Sequence, residues 1–265
     1  MKAETTGLTK HLLTQARAFN YKDVGPKTNL LNRFEKAFDR WIHSSEQSVK
    51  GLPKEHFIVS GVTDAFNQLY GLYERIGVFD GEYMYHQNVL NERTTTNLED
   101  ADCIIISHPF SGDGMCSHDK IKIADKLNKP IFIDCALFGI CCDIDFNFEQ
   151  YKNIHSVCFS LSKVFGTGLN RVGLLYTKDK FPCTIYNTWW YPLVSSAEYH
   201  YGLIDTIGPD NMPKQYKDKQ IKICKELELT PSPTVIFGID YTDKYSEYKR
   251  GPSNRVCITN LLEDK

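Results

Sequence analysis

Short apolar segments recur along this 265-residue chain, and most are separated by polar stretches with helical spacing. Each segment has the length of a strand, and none approaches the roughly 20 apolar residues that a membrane span needs. The pattern predicts strands at residues 57–59, 83–85, 103–106, 131–133, 156–159 and 172–176. Short buried strands that alternate with helices predict an α/β fold, with a mostly parallel sheet flanked by helices.

Apolar residues that recur every three or four positions predict the helices. These lie over residues 30–42, 63–76, 119–127 and 215–227. After residue 182 the composition changes: residues 183–214 are rich in aromatics, Pro and Gly, and strands follow at 234–239 and 256–259. We therefore predict an N-terminal arm and helix (1–45), an α/β domain (46–182) and a small C-terminal α+β lobe (183–265).

Charge and cysteine content exclude several classes of protein. The net charge of −2 gives no basic field for nucleic acid or anionic lipid, so we expect neither partner. No two of the nine cysteines have C-x-x-C spacing, and the spacing of Cys135, Cys141 and Cys142 does not favour a metal site. Scattered cysteines, odd in number, suit a reducing compartment, and the polar N-terminus lacks the apolar stretch of a signal peptide. We therefore expect a cytoplasmic protein without a metal.

Polar residues and glycines concentrate where the predicted strands end. Four groups follow strand ends: Ser60 to Asp64 (SGVTD), Ser107 to Gly114 (SHPFSGDG), Asp134, and Ser160 to Lys163 (SLSK). A fifth group, Gly166 to Gly173 (GTGLNRVG), closes the set. Each group alone is typical of a helix cap, a turn or a solvated loop. Ligands of open α/β sheets bind beyond the carboxyl ends of the strands. The five groups together therefore predict a ligand site at this edge.

The segment from Ser160 to Gly173 (SLSKVFGTGLNRVG) resembles the cofactor-lysine motif of fold-type I enzymes that use pyridoxal 5′-phosphate (PLP). The likeness is to the aspartate aminotransferase superfamily (class I/II), whose S-x-S-K is followed eight residues later by R-x-G. A strand that ends in Asp134, with Ala136 two places on, matches a second marker of the family. Residues 108–114 resemble its N-P-x-N-P-T-G turn, and residues 253–259 resemble the strand that carries its substrate-carboxylate arginine. The order of the main blocks matches over residues 57–176.

The resemblance implies roles for individual residues. Lys163 would hold PLP as an imine and move a proton at the substrate Cα, and Asp134 would keep the pyridine nitrogen protonated. Ser111 would contact the ring hydroxyl, Tyr85 (or His86) would stack on the ring, and Arg255 would bind the substrate carboxylate. The phosphate would be bound by backbone amides and side chains of Val62, Thr63, Asp64, Ser160 and Arg171.

The chain also departs from the pattern of the family. Leu137 stands where the family commonly has a tyrosine that bonds the ring hydroxyl, and Ser111 stands where it has an asparagine. Members are usually longer than this chain, so a second subunit could complete the substrate walls, and the resemblance implies a homodimer. These differences leave open a reaction other than ordinary transamination.

The resemblance implies an aminotransferase, or an enzyme derived from one, that acts on an amino acid or a related amine. A PLP-dependent lyase, decarboxylase or cyclase on the same scaffold remains an alternative. A PLP-binding protein without catalysis is disfavoured because Lys163, Asp134 and Arg171 occur together. A nucleotide-binding protein with a phosphate loop at Gly61 to Asp64 is disfavoured because G-x-G-x-x-G and G-x-x-x-x-G-K are both missing.

Overall fold

The computed structural model describes residues 27–89, 91–181, 184, 187 and 193–262. The N-terminal arm and the aromatic segment at residues 189–192 lie outside the described residues. The helices are α1 (Lys27–His43), α2 (Val62–Leu72), α3 (Met84–Val89), α4 (His118–Asp125), α5 (Val194–Thr206), α6 (Asn211–Leu227) and α7 (Thr259–Leu262). Short 3-10 turns occur at Asn91–Arg93, Leu98–Asp100 and Ser246–Tyr248.

The strands form three sheets. They are β1 (Val49–Lys50), β2 (Glu55–Val59), β3 (Ile76–Val78), β4 (Thr94–Thr95), β5 (Cys103–Ser107), β6 (Ile131–Cys135), β7 (Phe146–Asn147), β8 (Ile154–Ser160), β9 (Gly173–Thr177), β10 (Thr230–Pro231), β11 (Phe237–Asp240), β12 (Lys249–Arg250) and β13 (Ser253–Cys257). The large sheet has the order β2-β9-β8-β6-β5-β3-β4, and all its pairs are parallel except those of β9. The prediction of a mostly parallel sheet flanked by helices is confirmed.

The central strands are buried on both faces, as their continuous apolar sequences predict. In β5, Ile104 and Ile106 belong to one apolar core, whereas Cys103 and Ile105 belong to a second core. Side chains alternate between the two faces of a strand, so each face packs against a separate layer of helices. The burial explains why these strands read as unbroken apolar runs.

One predicted strand and the predicted end of one helix are wrong. Residues 83–85 do not form a strand, because α3 begins at Met84 and the buried His86 ring packs edge-on against Phe66 of α2. The helix predicted over 63–76 ends at Leu72, and the third strand is instead Ile76–Val78. The strand is difficult to recognise in the sequence because Gly77 interrupts its apolar pattern. Glycine is favoured at this position because a Cβ there would lie only 2.9 Å from the Cβ of Ala101.

Helix α1 packs its apolar stripe against α5 and the large sheet. Phe34, Phe38 and Ile42 are fully buried, and the indole nitrogen of Trp41 donates a hydrogen bond of 2.7 Å to the carbonyl oxygen of Ile207. The amphipathic helix predicted at residues 30–42 is therefore confirmed. Helix α5 was not predicted.

The small four-stranded sheet is antiparallel, with the order β10-β11-β13-β12. The strand predicted at 256–259 in fact runs from Ser253 to Cys257, because Thr259 already begins α7. Side chains that precede β11 contact the loop after β5: Ser232 donates to the carbonyl of Asp113 at 2.8 Å, and Thr234 donates to that of Gly114 at 3.1 Å. The predicted division at residues 45 and 182 stays a prediction. No helix among the described residues is long and apolar enough to cross a membrane.

Candidate active site

The carboxyl ends of four strands meet at one edge of the large sheet. Ser107 at the end of β5 is in register with Asp134 on β6, and Asp134 is in register with Cys158 on β8. Strand β9 starts at this edge, where Gly173 is in register with both Ser160 and Val59. The segments singled out in the sequence are therefore neighbours in space.

One end of this edge, which we call the cationic end, consists of Gly61, Thr63, Ser160 and Arg171. The Arg171 Nη2 atom donates a hydrogen bond of 2.6 Å to the Thr63 hydroxyl. The Ser160 hydroxyl oxygen accepts the backbone N–H of Ser162 at 3.2 Å. These contacts join the start of α2 to the turn after β8 and to the segment before β9.

The cationic end has room and bonding capacity for an anion. The Nε atom of Arg171 is buried and has no hydrogen-bond partner among the described residues. A Cβ added to Gly61, whose φ is +73°, would lie 3.2 Å from that Nε and 3.5 Å from the Ser160 hydroxyl oxygen. Because glycine has no side chain, the space in front of the guanidinium stays open. Helix α2 begins at the next residue, and the N-terminus of a helix favours an anion.

Val62 and Thr63 open the first turn of α2, as an amide site for an anion requires. Asp64 is partly committed elsewhere. Its carboxylate accepts the backbone N–H of Ser60 at 2.9 Å, and its own N–H donates to the carbonyl of Gly61 at 3.2 Å. Asp64 therefore fixes the turn before α2, and its amide is less open to a ligand than the predicted role requires.

Asp134 lies between cationic and anionic neighbours. The side chain is only 6 % exposed, and one carboxylate oxygen accepts the backbone N–H of Ala136 at 2.8 Å. Burial raises the pKa of Asp134 to about 7; the charge of Glu82 raises it further, whereas the charges of Lys163 and Arg171 lower it. A cation placed beside this carboxyl would favour its ionised form. Lys163 and Arg171, the two cations of the lysine motif, thus both act electrostatically on Asp134.

Glu82 is the main residue that the sequence prediction missed. Its side chain is 2 % exposed, and its oxygens accept the backbone N–H of Ser107 at 2.9 Å, the N–H of Tyr83 at 2.8 Å and the Ser107 hydroxyl. Burial raises the pKa of Glu82, and these hydrogen bonds oppose the rise. Three donors on one carboxyl group match the acceptor-only, ionised form. We call Glu82, Ser107 and Asp134 the acidic end of the site.

Tyr83 lies within the electrostatic reach of the predicted catalytic residues, and its ring stacks on that of Tyr85 with the ring centroids 6.0 Å apart. Burial raises the pKa of the Tyr83 hydroxyl, and the charges of Asp134 and Arg171 also act on it. The Tyr85 hydroxyl donates to Asn67 on α2 at 2.6 Å. His86 is fully buried and hydrogen-bonded to Tyr70, so it anchors α3 beneath the two tyrosines. The bound partner of Tyr85 and the burial of His86 both favour structural roles.

Ser111 and Arg255 are brought together although they lie far apart in sequence. The Arg255 Nη1 atom donates to the carbonyl oxygen of Ser111, and its guanidinium carbon lies 4.3 Å from the centroid of the Phe237 ring. The backbone N–H of Ser111 donates to the Ser107 hydroxyl at 2.7 Å, which links this pair to the acidic end. Leu137, at the position of the usual tyrosine, is buried in the apolar core.

The two missed residues differ in whether the sequence could have pointed to them. Asp80 and Gly81 precede Glu82, so the segment reads as a solvated turn, and nothing local marks its carboxylate as buried. Tyr83 was considered only as part of a strand. Had α3 been predicted, the position of Tyr83 directly before the helix would have pointed to this residue.

Comparisons with known proteins give a fold without a close relative. No family model matches the chain, and no curated protein matches it. Among solved structures, it is similar to histidinol-phosphate aminotransferase from Sinorhizobium meliloti in complex with pyridoxal-5′-phosphate, with 15 % identity, a TM-score of 0.64, and coverage of 98 % of this chain and 85 % of that one.

Two further solved structures are similar over comparable lengths. One is a probable N-succinyldiaminopimelate aminotransferase from Thermus thermophilus, with 12 % identity, a TM-score of 0.66, and coverage of 95 % of this chain and 86 % of that one. The other is L-threonine-O-3-phosphate decarboxylase from Porphyromonas gingivalis, with 11 % identity, a TM-score of 0.61, and coverage of 96 % of both chains. At these identities the likeness concerns the fold. The chain has the aminotransferase-like fold that its lysine motif predicts.

Proposed function

We propose that this protein is a PLP-dependent aminotransferase that acts on an amino acid or a related amine and uses Lys163 as its catalytic lysine. The observation that carries the proposal is the meeting of Lys163, Asp134 and Arg171 at one sheet edge, where the charges of Lys163 and Arg171 act on Asp134. Each residue matches one block of the family motif. The fold supports the proposal, and the neighbours in fold include PLP-bound and amino-acid-transforming enzymes.

The residues of the cationic end fit the cofactor's phosphate. Arg171 offers a guanidinium with an unused buried N–H, Thr63 and Ser160 offer hydroxyls, and Gly61 leaves the space open. A dianion at the start of a helix, beside an arginine, gains from charge-assisted hydrogen bonds. We therefore assign phosphate binding to Arg171, Ser160, Thr63 and Val62, with a smaller part for Asp64.

Asp134 fits the pyridine nitrogen. The buried carboxyl has a pKa of about 7, so a protonated ring nitrogen beside it would favour the ionised form and be held in place by it. When bound, PLP supplies an electron-accepting ring that makes bonds at the substrate Cα easier to break. Asp134 would hold the proton on the ring nitrogen throughout, and Lys163 Nζ would remove and return the proton at the substrate Cα.

Arg255 and Ser111 would orient the substrate and the ring. Arg255 would bind the substrate carboxylate, and its hydrogen bond to the Ser111 carbonyl would hold the guanidinium near the site. Tyr83, instead of Tyr85, is proposed to cover the ring face. The residue is 37 % exposed, and its hydroxyl lies within the electrostatic reach of Asp134 and Arg171.

Glu82 is proposed as an electrostatic positioning residue for the acidic end. Its hydrogen bonds hold Ser107 beside the start of α3, and Ser107 in turn accepts the backbone N–H of Ser111. Glu82 therefore links the segment that carries Tyr83 to the segment that carries Ser111. Its negative charge also raises the pKa of Asp134, so a proton at the acidic end binds more tightly. Glu82 would thereby help keep the ring nitrogen protonated.

A PLP-dependent lyase, decarboxylase or cyclase is the second candidate function. The observation that favours it is Leu137, which is buried in the core where the family commonly has a tyrosine bonded to the ring hydroxyl. Loss of that partner, with Ser111 in place of asparagine, would change the electronics of the cofactor. One neighbour in fold is itself a decarboxylase.

Further proposals concern the setting of the protein. We propose a homodimer whose second subunit completes the substrate walls, a PLP-binding domain over residues 46–182 and a C-terminal lobe over 183–265. A reducing, cytoplasmic location is supported by the eight described cysteines, none of which forms a disulfide with another described cysteine.

Spectroscopy of the purified protein tests the reaction class. Bound PLP should give a visible absorbance band, and a screen of amino acids should find substrates that remove it. If a keto acid then restores the band, the protein is an aminotransferase; release of CO2 or of a small fragment without a keto acid would identify the second candidate. Purified protein that neither contains PLP nor binds it when supplied would contradict both.

A further inference from the structure

A cluster of potential metal ligands lies beside the loop that follows β5, outside the proposed catalytic residues. One ligand atom from each of His108, Cys116 and His118 lies within 4.8 Å of the other two. His108 is fully buried, His118 is half-buried and Cys116 is exposed, so the cluster opens to solvent through its thiol. Two imidazoles and a thiol are the donors that Zn²⁺ prefers in proteins.

A fourth donor is present in the same place. The Nε2 atoms of His108 and His118 each lie 2.8 Å from the backbone carbonyl oxygen of Asp145. One carboxylate oxygen of Asp145 lies 3.4 Å from the Nε2 of His118. Two ring nitrogens thus converge on one residue that carries two kinds of oxygen donor, and four donors complete a tetrahedral zinc site.

The far nitrogens of both rings have the partners that metal-binding histidines need. The Nδ1 of His108 lies 2.8 Å from the Ser117 hydroxyl, and the Nδ1 of His118 lies 2.8 Å from the Tyr151 hydroxyl. A histidine that binds a metal through one nitrogen donates the other N–H to an oxygen, which fixes the ring. These two hydroxyls can accept such protons.

The Tyr151 hydroxyl also contacts the backbone of His118. It donates to the carbonyl oxygen of His118 at 3.3 Å, so its own oxygen can accept an Nδ1–H from the same residue. The Nε2 atom of His118 faces the oxygens of Asp145, where a metal ion could lie between them.

We propose that His108, Cys116 and His118, with an oxygen of Asp145, form a binding site for a zinc-class divalent cation. Binding requires each neutral ring to carry its proton on Nδ1 instead of Nε2. The Nδ1–H of His108 then donates to the Ser117 hydroxyl, and Nδ1 no longer accepts the Ser117 N–H at 3.3 Å. Cys116 binds as the thiolate, and its proton goes to solvent. The ligands His108 and Cys116 flank residues 109–115, so the ion ties down the loop that carries Ser111.

The test is metal binding to the chelator-stripped protein with its cofactor retained. We expect one equivalent of Zn²⁺ per chain, and X-ray absorption at the zinc edge should detect one sulfur at about 2.3 Å and nitrogens at about 2.0 Å. Saturating Zn²⁺ should also raise Tm by about 5 °C or more. This inference does not depend on the proposed enzymatic function, because none of these readouts measures turnover.

Matched variants separate this site from adventitious binding. Cys116→Ser and His118→Gln should each weaken Zn²⁺ binding by at least about tenfold. The control Cys142→Ser removes a half-buried thiol outside the cluster and should leave the affinity unchanged. A zinc spectrum without sulfur, or equal affinity in Cys116→Ser and the unmodified chain, would overturn the proposal. So would failure of Zn²⁺ to bind.

Discussion

The cationic end and the acidic end of the candidate site differ in burial and in how their polar atoms are bonded. At the cationic end, Arg171 is half-buried and keeps a buried N–H without a partner among the described residues. At the acidic end, Glu82 and Asp134 are almost fully buried, and their oxygens accept backbone and hydroxyl donors. The cationic end therefore has an N–H that can bind an anion, whereas the carboxylates of the acidic end already accept hydrogen bonds from the protein itself.

The two ends also differ in how closely they follow the family pattern. The cationic end matches it in residue type and order, from the turn at Gly61 to Arg171. The acidic end retains Asp134 but adds the buried Glu82 and lacks the tyrosine that Leu137 replaces. On the proposed function, we expect cofactor binding to follow the common pattern of the family and the reactivity of the cofactor to be adjusted at the acidic end.

The largest expected effect is at the acidic end. Asp134→Ala removes the carboxylate that would hold the ring nitrogen proton, and turnover should fall by about 1,000-fold or more. Because the cationic end is unchanged, PLP should still bind in part. The measurement is the single-turnover rate at saturating amino acid, alongside the PLP content. Near-normal turnover would remove Asp134 from the mechanism.

The stability of the cofactor-free protein tests the state of the same carboxyl. Its pKa of about 7 lies above the ordinary value of 3.8, so the stability that it contributes is full below pH 3.8 and is lost as the pH rises through 7. Relative to Asp134→Asn, the unmodified chain should lose up to about 4 kcal/mol in unfolding free energy between pH 4 and 8. Denaturant titrations at several pH values measure this difference. A constant difference between the two proteins would contradict the shifted pKa.

The two arginines should separate cofactor binding from substrate binding. Arg255→Ala should weaken amino-acid binding by roughly 100-fold or more and leave the dissociation constant of PLP unchanged, because a bidentate contact with a carboxylate is lost. Arg171→Ala should instead weaken the binding of PLP and leave the binding of amino acid to the PLP-loaded protein unchanged. Equilibrium titrations of PLP and of amino acid measure both constants. Arg255→Lys keeps the positive charge but cannot form the bidentate contact, so its affinity for amino acid should lie between those of the unmodified chain and Arg255→Ala. Equal amino-acid affinity in Arg255→Ala would indicate that Arg255 only supports Ser111.

The smallest effect is expected for the charge of Glu82. Glu82→Gln removes a buried anion that favours proton binding at Asp134, so the pH midpoint of the cofactor's absorbance change should fall by about one unit. Turnover should fall by about tenfold, because the substitution also disturbs the bond to the Ser107 N–H. The exposed Glu99→Gln is the matched control. An unchanged midpoint would restrict Glu82 to a purely structural role.

The sequence predicted those parts of the fold that are coded locally. The apolar runs of β5, β6 and β8 and the amphipathic α1 were found because burial on two faces, or on one helical face, leaves a direct pattern. Helix α5 was missed because its serines, tyrosines and glycine are weaker helix formers, and tertiary packing, mainly against α1, stabilises the helix. The strand at Ile76–Val78 was missed because Gly77 interrupts a run of three residues.

The sequence pointed to residues of the candidate site only where their motif is continuous or ends a clear strand. Lys163 and Arg171 lie eight residues apart in one segment, and Asp134 ends a clear strand. The links between Glu82 and Ser107 and between Arg255 and Ser111 join residues 25 and 144 positions apart. Such contacts depend on the register of strands and on the position of the small sheet, which no local pattern contains.

The most direct test of the account is to identify the lysine that holds the cofactor. The purified protein should be treated with borohydride, digested and analysed by mass spectrometry. We predict that the pyridoxyl group is fixed on the peptide that contains Lys163, that Lys163→Ala loses it, and that the exposed control Lys178→Ala retains it. A pyridoxyl group on another lysine, or a fixed cofactor that persists in Lys163→Ala, would contradict the account.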